Sequence, residues 1–323
     1  MEFTSLRALF HSGELPVVIS DSPVLLDKFR SVGFRVESID NICRLGAEDV
    51  EEAILIPAIP AVHPNMQLRN ALRNTAVLFI PLLAFSSKEN TFDYLVNRLD
   101  FINFSLAQER SRRIVEFIQH LDGAMEVKTA DCHFSLELSD DIHVFAPKLT
   151  PKIQVGESIS IIQFLEVAII PNGDGTSFSA NGSFLCSGVS IAHHLHSHFE
   201  SSKPADKAWS FLKNIRKHGG FPLKLEVSNS KVTSIKTKQG MNILDEIIPL
   251  TDEMHRGYIT EVGFGSLEPS SSTDWSINSQ LNEPAGGVHI ALGAGDTAAH
   301  IDFVSPLAKF SGSLTSGESL TGR

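Results

Sequence analysis

The fold of the chain's second half is decided by three short segments: Ile259-Thr-Glu-Val-Gly-Phe-Gly265, Gly287-Val-His-Ile-Ala-Leu-Gly293 and Ala299-His-Ile-Asp-Phe-Val304. All three are apolar runs, and glycine punctuates the first two, which is typical of strands rather than long helices. In the third segment His300 and Asp302 stand two residues apart. The two-residue period of a strand places both side chains on one face and the intervening apolar side chain on the other.

Ionisable side chains interrupt these apolar runs. Glu261 lies in the first segment, His289 in the second, and Glu283 in a turn that includes Asn282 and Pro284. Taken singly, each is typical of a surface or hydrogen-bonded core residue. Together they are harder to explain, because burying such groups without a cation or partners costs several kcal/mol. Imidazole and carboxylate groups are common ligands of mixed nitrogen–oxygen metal sites. The sequence therefore predicts a divalent-metal site with five candidate ligands: Glu261, Glu283, His289, His300 and Asp302.

Composition limits the classes of partner. The 323 residues are 42% apolar and 20% charged, enough for a large core and two domains, and the formal charge is −11. Such an acidic chain lacks the basic face that nucleic acid or an anionic membrane requires. The N-terminus lacks a signal-peptide pattern, and no window reaches the roughly 18 apolar residues of a membrane helix, so we expect a cytoplasmic protein. Three scattered cysteines indicate no disulfide framework.

Residues 1–119 are predicted to form an α/β domain with a mostly parallel sheet. Apolar strand-like runs such as Pro16–Ile19 and Ala53–Ile56 alternate with helical patterns such as Pro23–Ser31, which Ser22 caps. A long helical pattern over residues 91–120 bridges to the next domain. No glycine-rich phosphate loop opens a helix, so nucleotide binding is not indicated.

Residues 120–310 are predicted to form an α+β, β-rich metal-binding domain. We expect Gly123 to cap the bridging helix. Beyond it, His133–Leu138 and the pair Leu223–Val227 and Lys231–Ile235 alternate polar and apolar residues, as half-buried antiparallel strands do. Residues 311–323, rich in Ser, Gly and Thr, are expected to be a flexible tail.

A second group of histidines is less specific. His193, His194, His196 and His198 follow one another closely. In an extended segment the last three would share a face and could bind a transition metal, but a solvated, His-rich strand or loop at a domain edge is the simpler explanation.

The motifs TEVGFG, NEPAGGVHIALG and AHIDFV, in this order, resemble the M29 (aminopeptidase T-like) metallopeptidases and the related 2,5-dihydroxypyridine ring-cleaving dioxygenases. Leu121–Thr129, Phe164–Pro171 and Ser179–Gly182 extend the resemblance more weakly, so that it covers about residues 120–304. The resemblance implies that the five candidate ligands hold one or two divalent ions, such as zinc, manganese, cobalt or iron. It also implies a homodimer.

The chain departs from the family pattern in two places. The stretch between His289 and His300 is short and contains no tyrosine, whereas the peptidases have a longer segment there with a tyrosine near the metals. Asp296 is its only ionisable residue. The dioxygenases hold iron with a set richer in histidine, and Glu261 stands where a histidine is expected.

Three functions follow as hypotheses. The first is a metal-dependent, aminopeptidase-like hydrolase of a peptide or small amide, in which Glu283 is the candidate general base. The second is a catalytically degenerate peptide-binding protein, similar to truncated relatives in crocagin-type pathways for ribosomal peptides. The third is an Fe(II)-dependent ring-cleaving dioxygenase that uses His289, His300 and Asp302.

Overall fold

A computed structural model describes residues 1–58, 66–85, 89–139, 142–145, 148, 150–171, 178–193, 202–269, 272–315 and 319–322. The α-helices are α1 Thr4–Arg7, α2 Pro23–Ser31, α3 Ile39–Leu45, α4 Met66–Ala71, α5 Glu89–Phe101, α6 Phe104–Gln119, α7 Ser202–Lys217 and α8 Leu244–Ile247. The strands are β1 Val17–Ser20, β2 Val36–Ser38, β3 Glu52–Ile56, β4 Ala76–Phe79, β5 Leu121–Thr129, β6 Cys132–Leu138, β7 His143–Phe145, β8 Ser158–Ser160, β9 Glu166–Ile170, β10 Phe178–Cys186, β11 Gly188–Ala192, β12 Leu223–Ser228, β13 Lys231–Lys236, β14 Ile259–Gly265, β15 Val288–Leu292, β16 His300–Ser305, β17 Lys309–Leu314 and β18 Ser319–Gly322.

The first part of the chain forms a parallel sheet in the order β2-β1-β3-β4-β8. Its central strands are apolar throughout because helices cover both faces: α1, α2, α5 and α6 pack on one, and α3 and α4 on the other. The Ser22 side chain accepts a hydrogen bond from the backbone N–H of Leu25, and Pro23 starts α2. The predicted α/β fold of this part is confirmed.

The second part contains two antiparallel sheets. The seven-stranded sheet has the order β13-β12-β10-β6-β5-β17-β18, and the six-stranded sheet has the order β11-β16-β15-β14-β9-β7. Their facing side chains form one hydrophobic cluster, to which Phe134 and Phe184 contribute from one sheet and Phe264 and Phe303 from the other. The predicted β-rich α+β architecture is therefore confirmed.

Three details differ from the sequence-based expectations. The structure divides the bridging helix into α5 and α6, and α6 ends at Gln119, so that Gly123 lies inside β5 rather than at a helix cap. Strand β8, assigned to the second domain, pairs with β4 of the first sheet. The tail predicted to be flexible contributes β17 and β18, because β17 pairs with β5 and buries Phe310 and Leu314. The division at residue 120 itself remains a prediction.

Among the described residues, no helix combines the length and the apolar character needed to cross a membrane.

Candidate metal centre and adjoining cavity

Strand register places the predicted ligands of the six-stranded sheet on one face. Gly263 of β14 lies opposite His289 of β15, and Ala291 of β15 lies opposite both Glu261 of β14 and Asp302 of β16. The alternate residues of these strands, including Phe264 and Phe303, point into the core between the two sheets. The polar face is therefore the one turned away from that core.

The side chains on this face are in direct contact. His289 Nε2–H donates a hydrogen bond of 3.2 Å to Glu261 Oε1. His300 Nε2 lies 3.0 Å from Asp302 Oδ1 and 3.8 Å from Glu261 Oε2. Glu261 thus stands between the two imidazoles.

Glu283 reaches the cluster from a short 3-10 turn, Gln280–Asn282. The Asn282 side chain fixes this turn by donating hydrogen bonds to the backbone carbonyls of Asp274 and Ile277, at 3.0 and 2.9 Å. The hydroxyl of Tyr94 in α5 donates a further hydrogen bond to the side-chain oxygen of Asn282. All five predicted residues are therefore brought together, and their role as ligands remains a prediction.

The structure adds Glu166, which the sequence analysis did not include among the ligands. It is the first residue of β9, it lies opposite Gly265 of β14, and it is buried. Its signal in the sequence was the same as that of Glu261, an acidic residue in the apolar run Glu166–Ile170.

Potential ligand atoms fall into two groups, each with all its atoms within 4.8 Å of one another. One group contains Glu166, Glu261, Glu283 and His289, and the other contains Glu261, His300 and Asp302. Because Glu261 belongs to both, the arrangement suits two neighbouring cations that share one carboxylate.

Unpartnered polar atoms support a cation in this cluster. Asp302 Oδ2, His289 Nδ1 and Glu166 Oε2 are buried and have no hydrogen-bond partner among the described residues. Buried polar atoms are normally satisfied, and a carboxylate without hydrogen-bond donors is costly to bury. Oxygen and imidazole donors suit zinc, manganese, cobalt or iron, so the residues present fit a divalent ion.

The electrostatics of the cluster indicate an excess of buried negative charge. Burial, together with the Asp302 and Glu261 carboxylates, raises the pKa of Glu283 to about 8. Burial and the neighbouring carboxylates also hold the pKa of Glu166 well above its usual range. Burial alone would lower the pKa of His289 and of His300, but the adjacent carboxylates raise both overall. A divalent cation would offset this charge and release the bound protons.

A tight loop orients His300. Asp252 accepts hydrogen bonds from the backbone N–H groups of Ala294, Gly295 and Thr297 at 2.6, 2.9 and 2.8 Å, and from the Thr297 hydroxyl. The fixed loop presents the carbonyl of Gly293, which accepts a 2.6 Å hydrogen bond from His300 Nδ1–H. This bond leaves His300 Nε2 to face the carboxylates.

Gly263 makes room for the His289 ring. A Cβ atom at this position would lie 2.1 Å from Cε1 and Nε2 of that ring. We therefore expect Gly263→Ala to displace the imidazole and to weaken divalent-metal binding by roughly 10–100-fold, measured by competition with a chromogenic chelator.

The matched control is Val262→Ala. Val262 is fully buried on the opposite face, in the hydrophobic cluster between the sheets. Its truncation is expected to lower the free energy of unfolding without changing the metal affinity. Equal metal affinities of the Gly263→Ala protein and the wild type would contradict the role assigned to this glycine.

A cavity of about 530 Å³ opens beside the cluster; we call it the metal-side cavity. Glu166, Glu261, Glu283 and His300 line it. Much of the remaining wall is apolar and comes from β4, β7, β9 and the 3-10 turn that follows β4, namely Phe79, Ala84, Phe85, Phe145 and Ile170. A mainly apolar cavity with a few convergent polar groups is typical of a ligand site.

Of the second histidine group, only His193 lies among the described residues. His193 lines the metal-side cavity, as do His255 and Asp296, and its backbone N–H donates to the carbonyl of Ala84 at 3.1 Å. His194, His196 and His198 lie outside the described residues, so their predicted metal binding remains a prediction.

Residues 12–311 match the family model described as crocagin biosynthetic protein CgnE/B. The chain belongs to the CgnE/B family. No curated protein matches the sequence.

Two solved structures resemble this CgnE/B family member distantly. Wild-type AmpT from Thermus thermophilus is 10% identical, with a TM-score of 0.48 over 96% of this chain and 92% of the other. The 2,5-dihydroxypyridine dioxygenase from Pseudomonas putida KT2440 is 11% identical, with a TM-score of 0.47 over 94% of this chain and 90% of the other.

Proposed function

We propose that this protein binds divalent metal through the cluster around Glu261 and holds a peptide, or a small amide derived from one, in the metal-side cavity during crocagin-type biosynthesis. The observation that carries this proposal is that the cluster of potential ligand atoms and the cavity adjoin: Glu166, Glu261, Glu283 and His300 belong to both. Membership of the CgnE/B family supports the pathway.

The mixed wall of the cavity suits a peptide. Apolar side chains such as Phe79, Phe85 and Phe145 offer contacts to aliphatic or aromatic side chains of a ligand. The carboxylates of Glu166 and Glu261 would leave the cavity strongly negative on their own, and a bound metal ion would neutralise them.

Hydrolysis is the second candidate function, and Glu283 favours it. This carboxyl lines the cavity and belongs to the first group of potential ligand atoms, so it adjoins both the candidate metal site and the space for a ligand. A carboxylate in this position is suited to moving a proton to or from a bound amide. A bound divalent ion would supply polarisation of the amide carbonyl and a more acidic water.

Ring cleavage by a mononuclear iron site is less well supported. Its predicted ligands were His289, His300 and Asp302, but the structure places His289 in one group and the other two residues in the second. We therefore propose peptide binding, with hydrolysis as the alternative.

Metal counting combined with a peptide assay tests the proposal. Protein stripped with a chelator and reloaded with zinc, manganese, cobalt or iron(II) is expected to hold one or two ions per chain, and His300→Ala is expected to lower that number. Binding of a crocagin-type precursor peptide is measured by calorimetry, and cleavage by mass spectrometry.

The outcomes separate the candidates. Metal-dependent peptide binding without a new peptide terminus supports a binding protein, and a new terminus supports a hydrolase. The proposal fails if no metal is retained after loading with any of the four ions. Oxygen consumption with iron alone would instead favour a dioxygenase.

A further inference from the structure

Arg98 of α5 is a buried cation without a counter-charge among the described residues. Its residue exposure is only 5%. Its Nη1 donates a 2.9 Å hydrogen bond to the Ser272 hydroxyl, while Nε has no partner and the guanidinium makes no ion pair within the described part of the chain. A buried guanidinium without an anion costs several kcal/mol, so an unfilled requirement for negative charge remains here.

Arg98 lines a second cavity of about 530 Å³, which we call the Arg98 pocket. It lies between the junction of α5 and α6 and the segment that follows β14, and among the described residues it shares no lining residue with the metal-side cavity. Its polar wall includes Arg110 and Asn103, and its apolar wall includes Phe101, Ile102 and Leu106. Phe101 is 74% exposed, which leaves its ring available to a ligand.

The charges of the pocket favour a singly charged ligand. Arg110 Nη2 already forms a 2.6 Å ion pair with Glu268 Oε1, so among the described residues that line the pocket only Arg98 carries an uncompensated charge. A carboxylate matches a guanidinium in charge and shape, whereas a phosphate dianion would leave an excess of negative charge beside Glu268. The volume and the apolar wall leave room for a hydrophobic group attached to the anion.

We propose that the Arg98 pocket binds the carboxylate of a ligand whose neighbouring group is apolar, such as the C-terminal residue of a peptide. This site is separate from the metal centre and does not depend on metal binding.

N-acetyl-leucine is the probe for this site, and N-acetyl-leucinamide is its uncharged counterpart. Binding is followed through the Nε–Hε signal of Arg98 in NMR spectra of the full chain. N-acetyl-leucine is expected to shift this signal saturably, and the amide is expected to bind at least about tenfold more weakly. Inorganic phosphate, which lacks the apolar group, is expected to bind more weakly than N-acetyl-leucine.

Three variants complete the test, with binding measured by calorimetry. Arg98→Met is expected to lower the affinity at least about tenfold. Arg113→Met is the control, because Arg113 is exposed on α6 and pairs only with Glu109 among the described carboxylates. This substitution is expected to leave binding unchanged. Phe101→Ser changes an exposed side chain, so it should fold normally and weaken binding severalfold.

The proposal is overturned if N-acetyl-leucine binds no more tightly than N-acetyl-leucinamide or than phosphate. Unaltered binding of N-acetyl-leucine by the Phe101→Ser protein would overturn it too. Failure to detect saturable binding of N-acetyl-leucine up to its solubility limit would overturn it as well. If the Arg98→Met protein does not fold, the comparison of acid with amide and the Phe101→Ser protein decide the matter.

Discussion

Metal-free protein is expected to lose stability steadily as the pH rises from about 4.5 to about 8. The pKa of Glu283 rises from its usual 4.5 to about 8 in the fold, because of burial and the nearby carboxylates. A carboxyl whose folded-state pKa is raised stabilises the fold fully below its unfolded pKa, and this contribution is lost as the pH rises through the folded pKa. The expected loss is on the order of a few kcal/mol.

Other groups of the cluster act in the same direction. The pKa values of Glu166, His289 and His300 are all raised in the fold, so each binds its proton more tightly there and loses stabilising effect at higher pH. Asp252 acts in the opposite direction, because hydrogen bonds from Thr297 and its neighbours outweigh burial and lower its pKa. Its contribution is lost only as the pH falls below the usual aspartate range, so it does not mask the trend above pH 4.5.

Urea unfolding in the presence of a chelator measures this trend, with free energies of unfolding determined at pH 5, 6.5 and 8. Saturating zinc or manganese is expected to remove the decline, since metal binding replaces protons and becomes stronger as the ligands deprotonate. A flat profile without metal would show that the carboxylates of the cluster are not strained by mutual repulsion.

Local periodicity was sufficient to predict much of the site. The spacing of His300 and Asp302 determines that they share a strand face, and an apolar run around an acidic residue singles out Glu261. The same logic predicted the parallel sheet, since strands such as Glu52–Ile56 are apolar on both faces.

Pairing between distant strands could not be read from local patterns. Glu166 joins Glu261 only because β9 pairs with β14, and strand register is fixed by tertiary packing. Strand β8 is too short and too polar to indicate that it completes the first sheet. In the tail, Ser and Gly suggested disorder, but residues 311–314 continue β17, which pairs with β5, and Leu314 is buried. These long-range contacts outweigh composition.

Glu166→Gln is expected to change metal affinity and metal-free stability in opposite directions. Removing a carboxylate ligand should weaken metal binding by roughly 100-fold. Burial and the nearby carboxylates, including Glu283 and Asp302, raise the pKa of Glu166 because they make its ionised form unfavourable in the fold. Glutamine cannot ionise, so the metal-free variant avoids this cost at pH 8. Its free energy of unfolding should therefore exceed that of the metal-free wild type, by about 1–3 kcal/mol.

Glu137→Gln is the matched control, because Glu137 is an exposed carboxylate in β6 of the seven-stranded sheet, whereas the cluster lies on the six-stranded sheet. Its substitution should change stability by less than about 0.5 kcal/mol and leave metal affinity unchanged. The paired measurements are metal competition at pH 7 and urea unfolding in chelator at pH 8. A Glu166→Gln protein that binds metal normally would remove Glu166 from the ligand set. A variant that is less stable than the metal-free wild type would show that the Glu166 carboxyl stabilises the fold. Opposite signs are the result expected of a site whose carboxylates are held together at a cost to folding because a cation requires them.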